Sequence, residues 1–286
     1  MRRAGPAARG PAIDVGAYFA RIDYSGPADP TLQTLADLVT GHTRHIPFEN
    51  LDPLRGVPVA DLGVAALTDK LVHRRRGGYC YEHNNLMGYV LTALGFEVDR
   101  LAGRVVWMNP DGLDGPPHAE THQALAVHVP GVGEPYLVDV GFGGQTLTSP
   151  IRLIAGPTQQ TAHEPFRLRT HGHGYVLETL VREVWQPLYT FTTEPRPLID
   201  MEVGSWYVST HPGSIFVVGL SAALVTDDAR SNLRGRHLAV HRRDGQTERI
   251  EFDTAAQVLD ALTTRFGIDL TGLGDVEARV AQVLDS

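Results

Sequence analysis

The chain has 286 residues, 42% hydrophobic and 20% charged, a balance that supports a sizeable core and, at about 100–200 residues per domain, two or three domains. Its formal net charge of -8 argues against nucleic acid or an anionic membrane as a partner, since both select a cationic surface and the basic runs Arg74-Arg75-Arg76 and Arg242-Arg243 are short. A single cysteine, Cys80, excludes an intrachain disulfide, a paired-thiol redox site and a multi-thiolate zinc site, while Lys70, the only lysine among 25 basic residues, is the sole candidate for Schiff-base chemistry.

Residues 1–13 read as a disordered tail, with Gly, Pro and Ala where a signal peptide would carry its apolar stretch. From 14 to 95 the pattern is helical. Asp14 is placed to cap VGAYFARI, and PTLQTLADLVTGHT carries Leu32, Leu35 and Val39 at helical spacing. Lys70 falls between Leu67 and Leu71 in LTDKLVH, a plain amphipathic turn, which sets it aside as a Schiff-base residue. Gly77-Gly78 permits a tight turn, and a helix follows with Leu86, Val90, Leu91 and Leu94 on one face and Gly95 as its stop. From Phe96 the period shortens: FEVDRLAGRVVWM, HQALAVHV and PYLVDVGF partly alternate, and strands are expected to about Val208. The last part, 209–286, mixes strand-like SIFVVG, HLAVHRR and RIEF with a closing helix, AAQVLDALTTRFG. The organisation expected is therefore 14–95 helical, 96–208 β and 209–286 mixed. No segment approaches the ~20 apolar residues of a membrane span. The longest apolar run, Ile215 to Val225, is broken by Gly219 and Ser221, so a cytoplasmic protein is expected.

Cys80, in RRRGGYCYEHNN, stands where the helix after Gly78 begins, facing free N–H groups and the positive end of the dipole, an environment that favours thiolate. The plainer reading is a small buried hydrophobe. A thiolate nucleophile needs a base, and the base an orienting group. His122 opens HQALAVHV, sharing one strand face with Ala124, Ala126 and His128; Asp139 sits among Leu137, Val138 and Val140, where a buried carboxylate needs a partner. Taken singly, His122 reads as a satisfied strand histidine and Asp139 as a turn-capping acid. Joined to Cys80, they have the form of a triad.

RGGYCYEHN around Cys80, THQALAV around His122 and YLVDVGFGG around Asp139 resemble the arylamine N-acetyltransferases, as do HIPFENLD over His45 to Asp52 and STHPGSIFV over Ser209 to Val217. These pieces occur in the family's order and span nearly the whole chain. The resemblance implies an α+β fold: an N-terminal helical bundle carrying the nucleophile, a central β-barrel carrying His and Asp, and a C-terminal α/β lid, with a papain-like Cys-His-Asp triad at the first junction. It implies Cys80 as nucleophile, His122 as general base and acid, and Asp139 as orienting carboxylate. Phe48, Phe142 and Phe216 would line the acceptor pocket, and Trp107 and Thr121 the acyl-CoA channel; read alone, Phe216 sits in an apolar strand and is core. Acetyl-CoA is the implied co-substrate, with no metal or prosthetic group, and an aromatic amine or hydrazine the acceptor, as in xenobiotic metabolism. A homo-oligomer is compatible with the sequence.

Other patterns compete less well. His118 and His122 have the spacing of a helical zinc pair, but Pro116-Pro117 and the alternation after His122 favour extended chain, in which four residues span ~13 Å. FVVGLSAAL places Ser221 near a serine-hydrolase elbow, yet Ala223 stands where the second glycine belongs, and Asp227, Asp228 and His237 follow too closely. GFGGQT and GVGEPY do not complete a dinucleotide fingerprint. Arg234, Arg236, His237, His241, Arg242 and Arg243 read either as a phosphate-holding cluster or as a solvated strand edge. The rival functions are an amide-forming enzyme joining acyl chain and aromatic amine within one metabolite, a cysteine hydrolase, and a non-catalytic binder of acyl-CoA or amines.

Overall fold

The computed structural model describes residues 12–285; residues 1–11, where most of the expected tail falls, and residue 286 lie outside the described residues. Asp14 caps α1 (Val15–Arg21) by accepting from Ala17 N at 2.9 Å, and Thr31 caps α2 (Leu32–His45). Leu35 and Val39 of α2 are buried as expected, together with Leu38, but Leu32 at the helix start is exposed, so the packed stripe begins one turn later than the sequence suggests. There follow β1 (Phe48–Glu49), α3 (Leu51–Leu54), α4 (Val64–Leu67) running into a π-helical segment (Thr68–His73), and α5 (Cys80–Ala93). Gly95, at φ 95°, stops α5 as expected.

Next come β2 (Glu97–Val105), β3 (His122–His128), β4 (Tyr136–Val138), β5 (Ile151–Arg152), β6 (Phe166–His171), β7 (Gly174–Val181) and β8 (Val184–Phe191). They form one antiparallel sheet in the order β5-β4-β3-β2-β8-β7-β6. Bridges from Ala155 to Leu168 and Gln159 to Phe166 bring the chain after β5 back to β6, so the sheet nearly closes into a barrel. The remainder is α6 (Leu198–Thr210), α7 (Ile215–Val218), β9 (Ser221–Val225), β10 (Ala229–Arg234), β11 (His237–Arg242), β12 (Thr247–Glu251), α8 (Ala255–Thr264) and α9 (Val276–Leu284). A second sheet runs β1-β9-β10-β11-β12, so the N-terminal region lends it an edge strand.

Three apolar cores result. One joins the N-terminal helices to α5 and α6, one fills the barrel, and one lies between the second sheet and α8 and α9. The strand β3 is shared between two of them, because period-2 side chains point to opposite faces. Leu125 and Val127 enter the helical core, while Ala124 and Ala126 enter the barrel. His122, of the same parity as the alanines, thus turns toward the barrel's aromatic interior, and α5 packs across the other face.

Three expectations are corrected. Strand does not continue to Val208: α6 occupies Leu198–Thr210, its period obscured because Ile199, Val203 and Trp206 are exposed while Met201 and Val208 are buried. The strand-like SIFVVG is a helical turn, α7, started by Ser214, whose Oγ accepts from Phe216 N at 3.3 Å. Lys70 is not a plain amphipathic turn; its Nζ is held between carboxylates, described below. The closing helix is present as α8, capped by Thr254, and a further helix, α9, follows it behind an Asp275 cap. Among the described residues, no helix is long and apolar enough to cross a membrane.

Candidate active site

Cys80 is the first residue of α5, where N–H groups lack intrahelical acceptors. A turn free of side chains delivers it there. A Cβ on Gly77 would lie 1.9 Å from Pro47 O, so the backbone leading into β1 can pass only over glycine. Glu49 N donates to Gly78 O at 2.8 Å, and Glu82 Oε2 accepts from Tyr79 N at 3.2 Å to close the helix start.

Beneath this turn lies a buried charge cluster. Lys70 Nζ is 2.6 Å from both Asp52 Oδ2 and Glu82 Oε1, and Arg76 Nη2 is 2.7 Å from Glu49 Oε1 and 3.2 Å from Asp52 Oδ1. Three carboxylates from β1, α3 and α5 converge, and the two cations compensate them. Burial nonetheless pushes the Glu82 carboxyl up to about 6, against the pull of Lys70. Arg76 is therefore committed to these acids, and Arg74 lies 3.8 Å from Asp69.

His122 opens β3 opposite Gly103 of β2, a pairing that leaves the imidazole room. Its Nε2 lies 2.8 Å from Asp139 Oδ2, and both side chains are buried. Asp139 follows β4 directly, and its Oδ1 accepts from Asn84 Nδ2 at 3.0 Å and Gly141 N at 3.1 Å. Burial works against a charged imidazole, but the Asp139 carboxylate and a hydrogen bond with Cys80 override it and push His122 up to about 10. Burial likewise opposes the Asp139 charge, and His122, Asn84 and Gly141 N–H hold its carboxyl below the usual range. Because Nε2 is engaged by Asp139, Nδ1 is the nitrogen left for the thiol. Cys80 Sγ also approaches Thr121 O at 3.7 Å. Phe142 meets the His122 ring edge-on at 5.2 Å, and Tyr189 lies 4.5 Å from it.

Cys80 and His122 open onto a cavity of about 1600 Å³, also lined by Phe48, Trp107, Thr121, Phe142 and Phe216. All eight residues singled out in the sequence thus meet at one place, with Asp139 behind His122. Phe216 lies 6.0 Å from Phe48 and 5.3 Å from Tyr79, ring to ring. Of the basic cluster, Arg234, His237, His241, Arg242 and Arg243 line the same cavity, while Arg236 instead donates to Leu284 O at 2.8 Å. His118 lies in irregular chain 2.8 Å from Asn109 Nδ2, sharing no helix with His122, and Ser221 begins β9 rather than a strand-to-helix elbow.

Two site residues escaped the sequence reading. Asn84 donates to both Asp139 and Gln123 O, at 3.0 and 2.6 Å, and accepts from Val140 N at 3.1 Å, tying α5 to the His–Asp pair. Its signal was its place one helical turn after Cys80. Gly141 packs against the backbone of Cys80: a Cβ there would sit 2.7 Å from Cys80 Cα. The glycine run GFGG announced a close approach without saying to what. A thiol at a helix start, an imidazole beside it, a carboxylate behind that imidazole and a large aromatic-walled cavity form the arrangement that nucleophilic chemistry on a cysteine requires.

The pattern defining the N-acetyltransferase family matches residues 31–274. An arylamine N-acetyltransferase of Mycolicibacterium smegmatis is 67% identical over 277 residues, covering 96% of this chain and 100% of that protein. The solved structure of an M. smegmatis arylamine N-acetyltransferase superposes with a TM-score of 0.93 at 67% identity, covering 96% of this chain and 100% of the other. That of Mycobacterium marinum arylamine N-acetyltransferase in complex with CoA gives 0.91 at 59% identity, covering 94% and 99%.

Proposed function

The chain belongs to the arylamine N-acetyltransferase family, and from that membership we propose that it moves an acetyl group from acetyl-CoA to an aromatic amine or hydrazine through an acetyl-cysteine on Cys80. The observation that carries the reading is the buried 2.8 Å pair of His122 Nε2 and Asp139 Oδ2 standing beside that thiol.

The first half-reaction begins from the Cys80 thiolate and the His122 imidazolium. Sulfur attacks the thioester carbonyl, the carbon–sulfur bond to CoA breaks, and the leaving thiolate takes the proton from His122. CoA departs as the thiol. In the second, the amine nitrogen attacks the acetyl-cysteine, its proton passes to His122 Nδ1, and the Cys80 thiolate leaves, restoring the starting pair. Asp139 keeps the imidazole in one orientation and stabilises its charge. The N–H groups at the start of α5 are suited to the tetrahedral oxyanion.

Phe48, Phe142 and Phe216 supply the aromatic wall for the acceptor, and Trp107 and Thr121 flank the acyl donor. Aromatic amines and hydrazines are largely neutral nucleophiles near physiological pH, so an apolar pocket can concentrate them over water. The reading is tested by following CoA release from acetyl-CoA with and without an arylamine. Release sustained only when the amine is present, with the N-acetylated amine as product, supports it. Steady release without amine is the behaviour of a hydrolase and overturns it.

A further inference from the structure

Behind the site, a second set of buried titratable groups runs in line. Tyr18 Oη lies 3.0 Å from His42 Nδ1, and His42 Nε2 lies 2.8 Å from His83 Nδ1. His83 Nε2 in turn lies 3.0 Å from Gly78 O and 3.2 Å from Pro47 O. All three side chains are fully buried, and none lines the cavity.

The partners fix the protons. Carbonyl oxygens only accept, so His83 Nε2 carries hydrogen. A neutral imidazole has one N–H, so His83 Nδ1 accepts, His42 Nε2 donates, and His42 Nδ1 accepts from the Tyr18 hydroxyl. The chain runs one way, from Tyr18 through His42 and His83 to Gly78. A further proton on His83 Nδ1 would face the His42 Nε2–H donor to donor, while one on His42 Nδ1 would turn the Tyr18 hydroxyl away to Met87 Sδ, 3.9 Å off. Burial, His83 and Arg21 hold His42 well below its ordinary value. Burial also brings His83 down to about 4, against the Pro47 and Gly78 carbonyls and Glu49, with Lys70 adding to the fall.

His83 therefore acts on two pieces of backbone at once. Gly78 O also receives Glu49 N, and the Phe48 ring stacks on His83 at 6.4 Å and 10°. One end of this contact is the turn that immediately precedes Cys80; the other is a wall of the cavity.

We propose that His83 is a positioning residue for Cys80: held in one tautomer by His42 and Tyr18, it fastens the Gly77-Gly78 turn and the Phe48 segment to α5 and so sets where the thiol stands relative to His122. This rests on Cys80 as the acetyl-accepting nucleophile. The test is single-turnover acetylation by acetyl-CoA without amine, read on the Cys80 peptide by mass spectrometry, in wild type, His83→Leu and His83→Gln. A wild-type chain that takes no acetyl on Cys80 overturns the nucleophile itself. With the wild type labelled, His83→Leu is expected to react about 10- to 100-fold more slowly at saturating acetyl-CoA, at nearly unchanged half-saturation. His83→Gln, whose amide still donates, is expected to recover most of that loss. A folded His83→Leu that reacts at the wild-type rate overturns the positioning role and leaves Cys80 untouched. A second measurement holds whether or not that variant folds: ¹⁵N spectra of histidine-labelled wild type at neutral pH should show His42 and His83 neutral and protonated at Nε2. A proton on Nδ1, or a charged ring, at either position overturns the assignment.

Discussion

Asn84 Nδ2 donates to Asp139 Oδ1 across 3.0 Å, from one helical turn beyond Cys80 on the same helix. The helix that presents the thiol thereby also holds the carboxylate behind the His122 imidazole. In Asn84→Leu, Gln123 O, Asp139 Oδ1 and Val140 N all lose a partner. We expect a stability loss of about 2–4 kcal/mol in denaturant unfolding and at least an approximately tenfold fall in kcat/KM. Unchanged activity in the folded variant would show that the carboxylate holds its place without α5.

Gly141→Ala should separate close approach from general glycine effects. Its Cβ would meet Cys80 Cα at 2.7 Å and Cys80 O at 3.1 Å, both backbone atoms that cannot rotate away. A loss of about 1–3 kcal/mol is expected, together with a drop in Cys80 acetylation rate. Gly133→Ala meets nothing within 4 Å and should stay within about 0.5 kcal/mol of wild type. Equal effects of the two would refute the packing argument.

The histidines make opposite contributions to stability on the two sides of neutrality. His122 is raised from 6.5 to about 10, so its contribution is complete below 6.5 and is lost as pH rises through about 10. The unfolding free energy of wild type relative to His122→Gln should therefore shrink steadily over that alkaline range. His83 is lowered from 6.5 to about 4, so its neutral form contributes fully above 6.5, and that contribution is lost as pH falls through about 4. His42 is lowered in the same direction and adds to the acid loss. A wild-type stability that rises relative to His83→Gln on acidification from 6.5 to 4 would contradict the neutral assignment of His83.

Lys70 tests the charge cluster under the Cys80 turn. Lys70→Met leaves Asp52 and Glu82 facing one another without their shared cation, and a loss of about 3–5 kcal/mol is expected. Adding Glu82→Gln removes the carboxylate left without a cation, Asp52 keeping Arg76 at 3.2 Å, and should recover part of the loss, which a double-mutant cycle measures. Strict additivity would mean that the 2.6 Å contact is energetically idle.

The site was more legible than the scaffold around it. The surroundings of Cys80, His122 and Asp139 are each set by a few neighbouring residues: a glycine turn before a helix, a strand start, a strand end. Short local patterns record such features. Lys70 was misread because its partners Glu49, Asp52 and Glu82 come from separate segments, and only the fold brings them together. The apolar residues of α6 appear on both its buried and exposed sides, which erases the period on which the reading depends. Phe216 looked like strand because four β-compatible residues make α7, and the Ser214 cap that decides the matter is a single hydroxyl. Barrel closure was illegible because it rests on two isolated bridges from the irregular chain between β5 and β6, which carries no strand pattern of its own. The Tyr18–His42–His83 line combines three residues that no short motif relates.

The central claim is that Cys80 carries the acetyl group between the two substrates. The direct measurement is to mix the chain with acetyl-CoA alone, locate and count the acetyl groups by mass spectrometry, then add an arylamine. One acetyl per chain on Cys80 is expected, discharged by the amine to give the N-acetylated product, with no turnover by Cys80→Ala. Full turnover by Cys80→Ala, or acetyl transfer that proceeds with Cys80 never labelled, would contradict it.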